Sequence, residues 1–190
     1  MATEHSADLD PAAWTHEAVL QDGTRVLVRP ARAEDAALYP DFLEAVTLRD
    51  RRLRFFSAIS EFSPTLLKRM TQVDPRRAMA FVALDAHGAM LGVVQLHYDP
   101  DQRGGEYAVL VRSDLKGRGL GWLLMQQIIL YARHRHLQRI HGQVLAENTT
   151  MLQMCSELGF DVAIDPDDPD IRIVTLSLPG KDDPERASAA

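Results

Sequence analysis

The stretch Lys116-Gly117-Arg118-Gly119-Leu120-Gly121 constrains this chain more than any other. It follows an apolar strand-like run, Glu106 to Val111. It opens the strongest helical pattern, Leu120 to Arg135, where Leu120, Leu123, Leu124, Ile128 and Tyr131 fall at helical spacing. Its three glycines let the backbone approach a ligand closely and turn N–H groups inward. The helix N-terminus adds unpaired donors and a partial positive charge, and Lys116 and Arg118 add full charges. This combination suits a phosphate or pyrophosphate. Taken alone, the segment also reads as a tight strand-to-helix turn with exposed basic residues. It lacks the GxxxxGK(S/T) loop, and a GxGxxG fingerprint would need glycine where Leu124 stands.

The surrounding pattern is a mixed one. Arg25 to Val28 is a short strand before Arg29-Pro30. From Glu34, with Glu34 and Asp35 as acids near a helix start, Leu38, Phe42, Leu43 and Val46 form the stripe of one helix. Leu53 to Ile59 is apolar but of undecided type. Ser63-Pro64 supplies the cap and first residue of a helix to about Thr71. Strands Ala78 to Leu84 and Met90 to His97 flank the hairpin connection Asp85-Ala86-His87-Gly88. Ile140 to Leu145 is a strand, and Thr149 to Leu158 a helix with Asn148 at its cap and Gly159 as its left-handed stop. Phe160 to Ile164 and Ile171 to Leu178 are the last strands. The fold class is therefore α/β, with a mixed central sheet of about six to seven strands flanked by about four helices. The strand–helix–strand unit around Leu120 should pair in parallel.

The chain has 190 residues, enough for one domain with a substantial core. Residues 1–14 and 180–190 read as flexible tails around a single domain over 15–179. No apolar run approaches the roughly 20 residues that span a bilayer, and the polar N-terminus lacks the marks of a signal peptide, so a cytoplasmic location is expected. Cys155 is the only cysteine, which excludes an internal disulfide and a CxxC zinc site. His87, His97, His134, His136 and His141 show no metal-ligand spacing, and no metal is expected. The net charge of -6 argues against non-specific nucleic-acid binding.

Arg112 to Leu124, RSDLKGRGLGWLL, resembles the acyl-CoA loop of the GCN5-related N-acetyltransferases (GNAT), whose pattern is Q/R-x-x-G-x-G/A. Lys116, Gly119 and Gly121 fill that pattern, with lysine at the first place as a departure. Asn148 to Phe160, NTTMLQMCSELGF, resembles the family's asparagine–helix–LGF segment, and the likeness covers roughly residues 25 to 178. VRPARAEDA (28–36), RLRFFSAISEFSPTLLKRMTQVD (52–74) and GEYAVLVRSDLKGRGLG (105–121) are similar to the acetyltransferase domain of bacterial Pat-type protein lysine acetyltransferases. There the domain is usually fused to an inactive acyl-CoA synthetase-like region. Both a stand-alone relative and an excised domain are open.

The resemblance implies a GNAT fold and acetyl-CoA as co-substrate. The amides of Lys116, Gly117, Arg118, Gly119, Leu120 and Gly121 would hold the pyrophosphate. A bulge around Val109, Leu110 and Val111 would turn backbone amides to the thioester, one of them stabilising the oxyanion. Pantetheine would lie between that strand and Ile140 to Leu145, with Asn148 bonding it. Glu106, in the Gly-Glu-Tyr-Ala segment, takes the general-base position. Such a group is needed. A lysine amine with pKa near 10.4 is neutral about once in 2,500 at pH 7, a cost of about 4.6 kcal/mol, and a carboxylate can take the proton as attack proceeds. Read from strand alternation alone, Glu106 is a solvent-facing residue opposite the buried Tyr107, Val109 and Val111, and Asn148 is equally a cap. A half-buried setting beside Tyr107 and Leu96 would raise the Glu106 pKa. Cys155 stands where many family members carry a tyrosine that protonates the leaving thiolate. It is also a candidate covalent nucleophile, but its spacing with Met151, Leu152 and Leu158 favours a core position, and Trp122 also reads as core.

The implied activity is acetylation of a protein lysine, by resemblance that of an AMP-forming acyl-CoA synthetase. The alternatives are acetylation of a small amine or protein N-terminus, and a non-catalytic acyl-CoA-sensing module.

Overall fold

The computed structural model describes residues 10–57, 63, 65, 70, 74 and 76–178. Through them runs one sheet: β1 (His16–Val19), β2 (Arg25–Pro30), β3 (Ala78–Leu84), β4 (Met90–Tyr98), β5 (Gly104–Val111), β6 (Arg139–Leu145), β7 (Asp161–Ile164) and β8 (Ile171–Ser177). Its spatial order is β1-β2-β3-β4-β5-β6-β8-β7. Neighbours are antiparallel except β5 and β6, which are parallel as expected. The helix read from Ser63-Pro64 to about Thr71 lies almost wholly outside the described residues, as do 1–9 and 179–190.

β3 and β4 are buried along nearly their whole length, because helices cover both faces of the sheet. On one face lie α3 (Leu120–His134) and α4 (Thr149–Glu157), over a core containing Phe81, Leu96, Leu124, Ile128, Ile140 and Val174. On the other lie α1 (Tyr39–Glu44) and α2 (Leu48–Phe55), over Val82, Val93 and Leu110.

Three local readings change. β1 is a strand the sequence pattern did not mark, because His16–Val19 is an edge strand with mostly exposed residues and no apolar alternation. Phe42, Leu43 and Val46 are buried as expected, but the expected single helix is a 3-10 turn, Ala33–Leu38, followed by α1. Pro40 sits in the first turn of α1, where its missing N–H is harmless. Within a continuous helix its ring would clash with the carbonyl four residues back. Within the expected tail, Pro11–Trp14 is a 3-10 turn capped by Asp10, and the Trp14 ring packs on Phe81 and Tyr131 at 5.9 and 5.4 Å.

Candidate active site

The site is built at a fork in the sheet. β5 pairs with β4 from Gly105 to Val111 without a register shift. It pairs with β6 only at Gly104, Gly105 and Glu106, opposite Arg139, Ile140 and His141. β6 meanwhile stays paired with β8 to its end, Leu145 opposite Ile171. The strands therefore part just beyond Glu106. Asp99 N–H donates to Gly104 C=O, and Arg112 N–H to Leu91 C=O, both at 2.9 Å. These bonds set the phase of the ladder. The backbone groups of Glu106, Ala108 and Leu110 face β4, and those of Tyr107, Val109 and Val111 face the fork.

This corrects the expectation of a bulge at Val109 to Val111. The register there is continuous, and the fork comes from divergence of β6. Val109 and Val111 aim their amides into it. The Leu110 amide is turned to Val93, and its side chain is buried under α1.

The basic loop lies at the open end of the fork. Gly117 and Gly119 have φ of +75° and +91°, left-handed values that favour glycine. Gly119 is the N-cap of α3, and its carbonyl accepts from Leu123 N–H at 3.0 Å. The amides of Leu120, Gly121 and Trp122 are thus the unpaired first-turn donors of a 15-residue helix. That is a cradle suited to a pyrophosphate.

The two cations of the loop do not stand as free charges. Lys116 Nζ pairs with Asp50 on α2, and Arg118 pairs with Asp22 at 2.7 Å. The Asp22 carboxyl is lowered to about 2, chiefly by bonds from Thr24, with Arg118 adding to them. Asp50 also accepts from Ser113 Oγ. Burial raises the Asp50 pKa, but the bonds from Lys116, Ser113 and Thr47 outweigh it and leave the carboxyl below its ordinary value. Ser113 accepts from the amide of Thr47, the N-cap of α2, at 2.8 Å. The glycine-rich loop and the start of α2 are therefore stitched together. A second ion pair, Arg52 with Glu147, joins α2 to the turn after β6, so α2 spans the loops on both sides of the fork.

Glu106 occupies the last paired rung, on the face covered by α2. It is exposed, not half-buried as expected. Arg54 of α2 is half-buried, and its charge and that of Glu106 attract each other. Burial lowers the Arg54 pKa, with Glu106 and Tyr39 opposing the shift.

Asn148 is the N-cap of α4, its Oδ1 accepting from Met151 N–H at 3.3 Å. The cap role takes the oxygen, which leaves the side-chain NH2 as the group for a ligand. Cys155 is fully buried, as its spacing implied, with Sγ 3.2 Å from the Tyr107 hydroxyl. Burial raises the thiol pKa, against a smaller opposing effect of that bond. The Tyr107 ring packs on Gly142, one residue past the last rung. Trp122 is half-buried rather than core. It lines an open cavity of about 460 Å³ with Val19, Gln21, Arg118 and Glu157. Among the described residues no group of three or more side chains could hold a metal ion, and no helix is long and apolar enough to cross a membrane.

The chain has counterparts among known proteins. The profile of the acetyltransferase (GNAT) family matches residues 45–160. The chain belongs to the GNAT family. It is an N-acetyltransferase, and acetyl-CoA is the donor that family uses. An acetyltransferase of Pseudomonas aeruginosa is 34% identical over 162 residues, covering 84% of this chain and 87% of the relative. The GNAT domain of S. lividans PAT superposes with a TM-score of 0.82 at 25% identity, over 90% of this chain and 100% of that one. The spermidine N-acetyltransferase of Vibrio cholerae, solved with CoA and spermine, shares the fold at a TM-score of 0.64 and 17% identity, over 80% of this chain and 95% of that one.

Sequence reasoning did not find Asp50, Arg54, Asp99 or His141 as neighbours of the site. Their roles depend on strand register and on the placement of α2. The only local signal was Thr47 as a cap ahead of α2.

Proposed function

We propose that this GNAT enzyme transfers the acetyl group of acetyl-CoA directly to the side-chain amine of a lysine on a protein, with Glu106 as general base. The observation that carries the reading is the position of Glu106 on the last rung before β5 and β6 part. A thioester lying in the fork would meet the amides of Val109 and Val111, and an amine reaching it from the α2 face would meet Glu106 first. One of those amides stabilises the tetrahedral oxyanion. The loop from Lys116 to Gly121 holds the pyrophosphate, and the Asn148 NH2 bonds the pantetheine. The thiolate leaves without an acid from Cys155, whose thiol is buried against Tyr107. A simple thiol has a pKa near 8.5, so the thiolate is a competent leaving group.

A protein substrate is what the Pat-type motif resemblance implies, and similarity to the GNAT domain of S. lividans PAT over that domain's whole length accords with that resemblance. By the motif resemblance, that substrate is an AMP-forming acyl-CoA synthetase whose active-site lysine loses its charge on acetylation. A cytoplasmic location accords with such a target. The test is to incubate the protein with acetyl-CoA and an AMP-forming acetyl-CoA synthetase, then map acetylated lysines by mass spectrometry against a control without enzyme. Rapid modification of the single catalytic lysine supports the reading. No acetylation above the control, by protein that binds acetyl-CoA, discards that target. Turnover of spermidine or another small amine instead would move the substrate class.

A further inference from the structure

Beside Glu106 lies an ionisable pair that the reaction above does not use. Glu106 is paired with His97 of β4 on one side and with His141 of β6 on the other. Directly paired residues point to the same face of a sheet, so all three side chains share the face covered by α2. His141 Nε2 is 2.8 Å from Asp99 Oδ1. The other Asp99 oxygen accepts from Arg139 at 2.8 Å, and Arg139 also reaches Asp101 at 3.2 Å. The Asp99 side chain is 14% exposed and that of His141 32%, so the pair is partly shielded yet reached by solvent.

Gly104 makes room for this pair. A Cβ there would stand 2.6 Å from Asp99 Oδ2 and 2.6 Å from Arg139 Cγ. Its φ is not among the left-handed ones. Space, not backbone conformation, is what excludes a side chain at Gly104.

An ionised carboxylate only accepts, so Asp99 fixes the proton of neutral His141 on Nε2 and leaves Nδ1 as the acceptor. The backbones of His141 and Glu106 are one strand spacing apart, about 4.8 Å across the sheet. We propose that His141, oriented by Asp99, receives the proton that Glu106 takes from the substrate. The inference rests on Glu106 being the base. Glu106 takes one proton from the substrate ammonium, and the electron pair stays on nitrogen. The neutral amine then forms the new C–N bond at the thioester carbon. Glu106 passes its proton to His141 Nδ1. The imidazolium is held by Asp99 until it releases the proton to water. When the tetrahedral adduct collapses, the C–S pair leaves on sulfur, and the second N–H proton goes to that thiolate. The sum is ammonium plus acetyl-CoA giving amide, CoA thiol and one proton. A substrate protein docked over the exposed Glu106 would bar its direct exchange with water, and the relay gives the proton a side exit. Among the described residues, the charged and titratable groups that register and hydrogen bonds set around His141 are Asp99 and Asp101 from the β4–β5 turn, Glu106 of β5 and Arg139 of β6. Arg54 and His97 stand around Glu106. The β8 neighbour, Thr175, is uncharged.

The experiment compares wild type with His141→Gln, Asp99→Asn, Gly104→Ala and Glu106→Gln in the intact protein, on the amine substrate that wild type acetylates. Expected for His141→Gln is a fall in kcat on the order of 100-fold, an unchanged KM for acetyl-CoA, one ionisation lost from the kcat–pH profile, and partial recovery with added imidazole. Asp99→Asn and Gly104→Ala should lower kcat less, also without changing that KM. Wild-type kcat and pH profile in His141→Gln would overturn the proposal. So would a loss that comes with a lower Tm and does not respond to imidazole, since that marks a structural role. Glu106→Gln separates the two levels. If it is fully active, the base assignment fails and takes the relay with it. If it is inactive while His141→Gln is normal, only the relay falls.

Discussion

Replacing Gly142 by alanine tests how tightly the fork is packed. A Cβ at this position would lie 2.8 Å from Cε1 of Tyr107, 3.2 Å from Cζ and 3.3 Å from Cδ1. Ordinary contact begins at 3.4 Å, so ring and strand must separate by at least 0.6 Å (3.4 less 2.8). The ring has little room to yield. Its hydroxyl meets the buried Sγ of Cys155 at 3.2 Å, and its edge packs on Phe160 with centroids 5.5 Å apart. Overpacking of this kind costs about 1–3 kcal/mol. For a domain of this size each kcal/mol moves Tm by about 2–4 °C, so a fall of about 2–12 °C is expected. Gly142 is not left-handed, so backbone strain does not contribute. The displaced ring sits at the mouth of the fork, and acetyl-CoA affinity should fall as well. Thermal unfolding and a calorimetric acetyl-CoA titration measure the two effects. An unchanged Tm with unchanged affinity would refute the packing argument and the placement of the cofactor in the fork together.

Asp35 forms a two-pronged pair with Arg29 at 2.6 and 2.8 Å, both side chains nearly buried. Asp35→Ala leaves that cation unpaired and should cost about 3–5 kcal/mol in denaturant unfolding. Burial raises the Asp35 pKa, but the bonds from Arg29 and the Arg32 amide leave it below its ordinary value. The pair's stabilisation is therefore complete above pH of about 4 and is lost as pH falls through the lower native pKa. Asp35→Asn should lack that acid-dependent loss. Alkylation of Cys155 at pH 8 should be slow and should follow global unfolding, because the thiol is buried and its pKa raised. Rapid stoichiometric labelling of native protein would contradict that placement. Gly117→Ala meets no atom within 4 Å but must hold φ near +75°, so a strain of about 1–2 kcal/mol and weaker acetyl-CoA binding are expected. Gly117→Asn should recover part of both.

The parts of this molecule legible in the sequence are those set by local chemistry. Gly117 and Gly119 announced the strand-to-helix turn, where both adopt the left-handed φ that favours glycine. Asn148 and Gly159 marked both ends of α4 correctly. β3 and β4 were visible as continuous apolar runs. The rest depends on contacts distant in sequence. α2 was not marked as a helix, and only Leu53 to Ile59 stood out as apolar of undecided type, because Leu48–Phe55 is rich in arginine and its cap at Thr47 is completed by Ser113, 66 residues away. The fork arises where β6 follows β8 rather than β5, a choice no stretch of β5 encodes. His141 read as an isolated histidine until the register set it beside Glu106 and the β4–β5 turn brought Asp99 to its ring.

The most direct test of the account is Glu106→Gln, a substitution that keeps size and removes the carboxylate charge and with it the ability to accept a proton. Acetyl-CoA affinity by calorimetry and single-turnover acetyl transfer at pH 7–9 should be measured on the same preparations. The account requires unchanged affinity and a transfer rate lower by about 10²–10⁴-fold, with part of the loss recovered as rising pH deprotonates the amine. Wild-type transfer by the variant at pH 7 would contradict the assignment of Glu106 as the base.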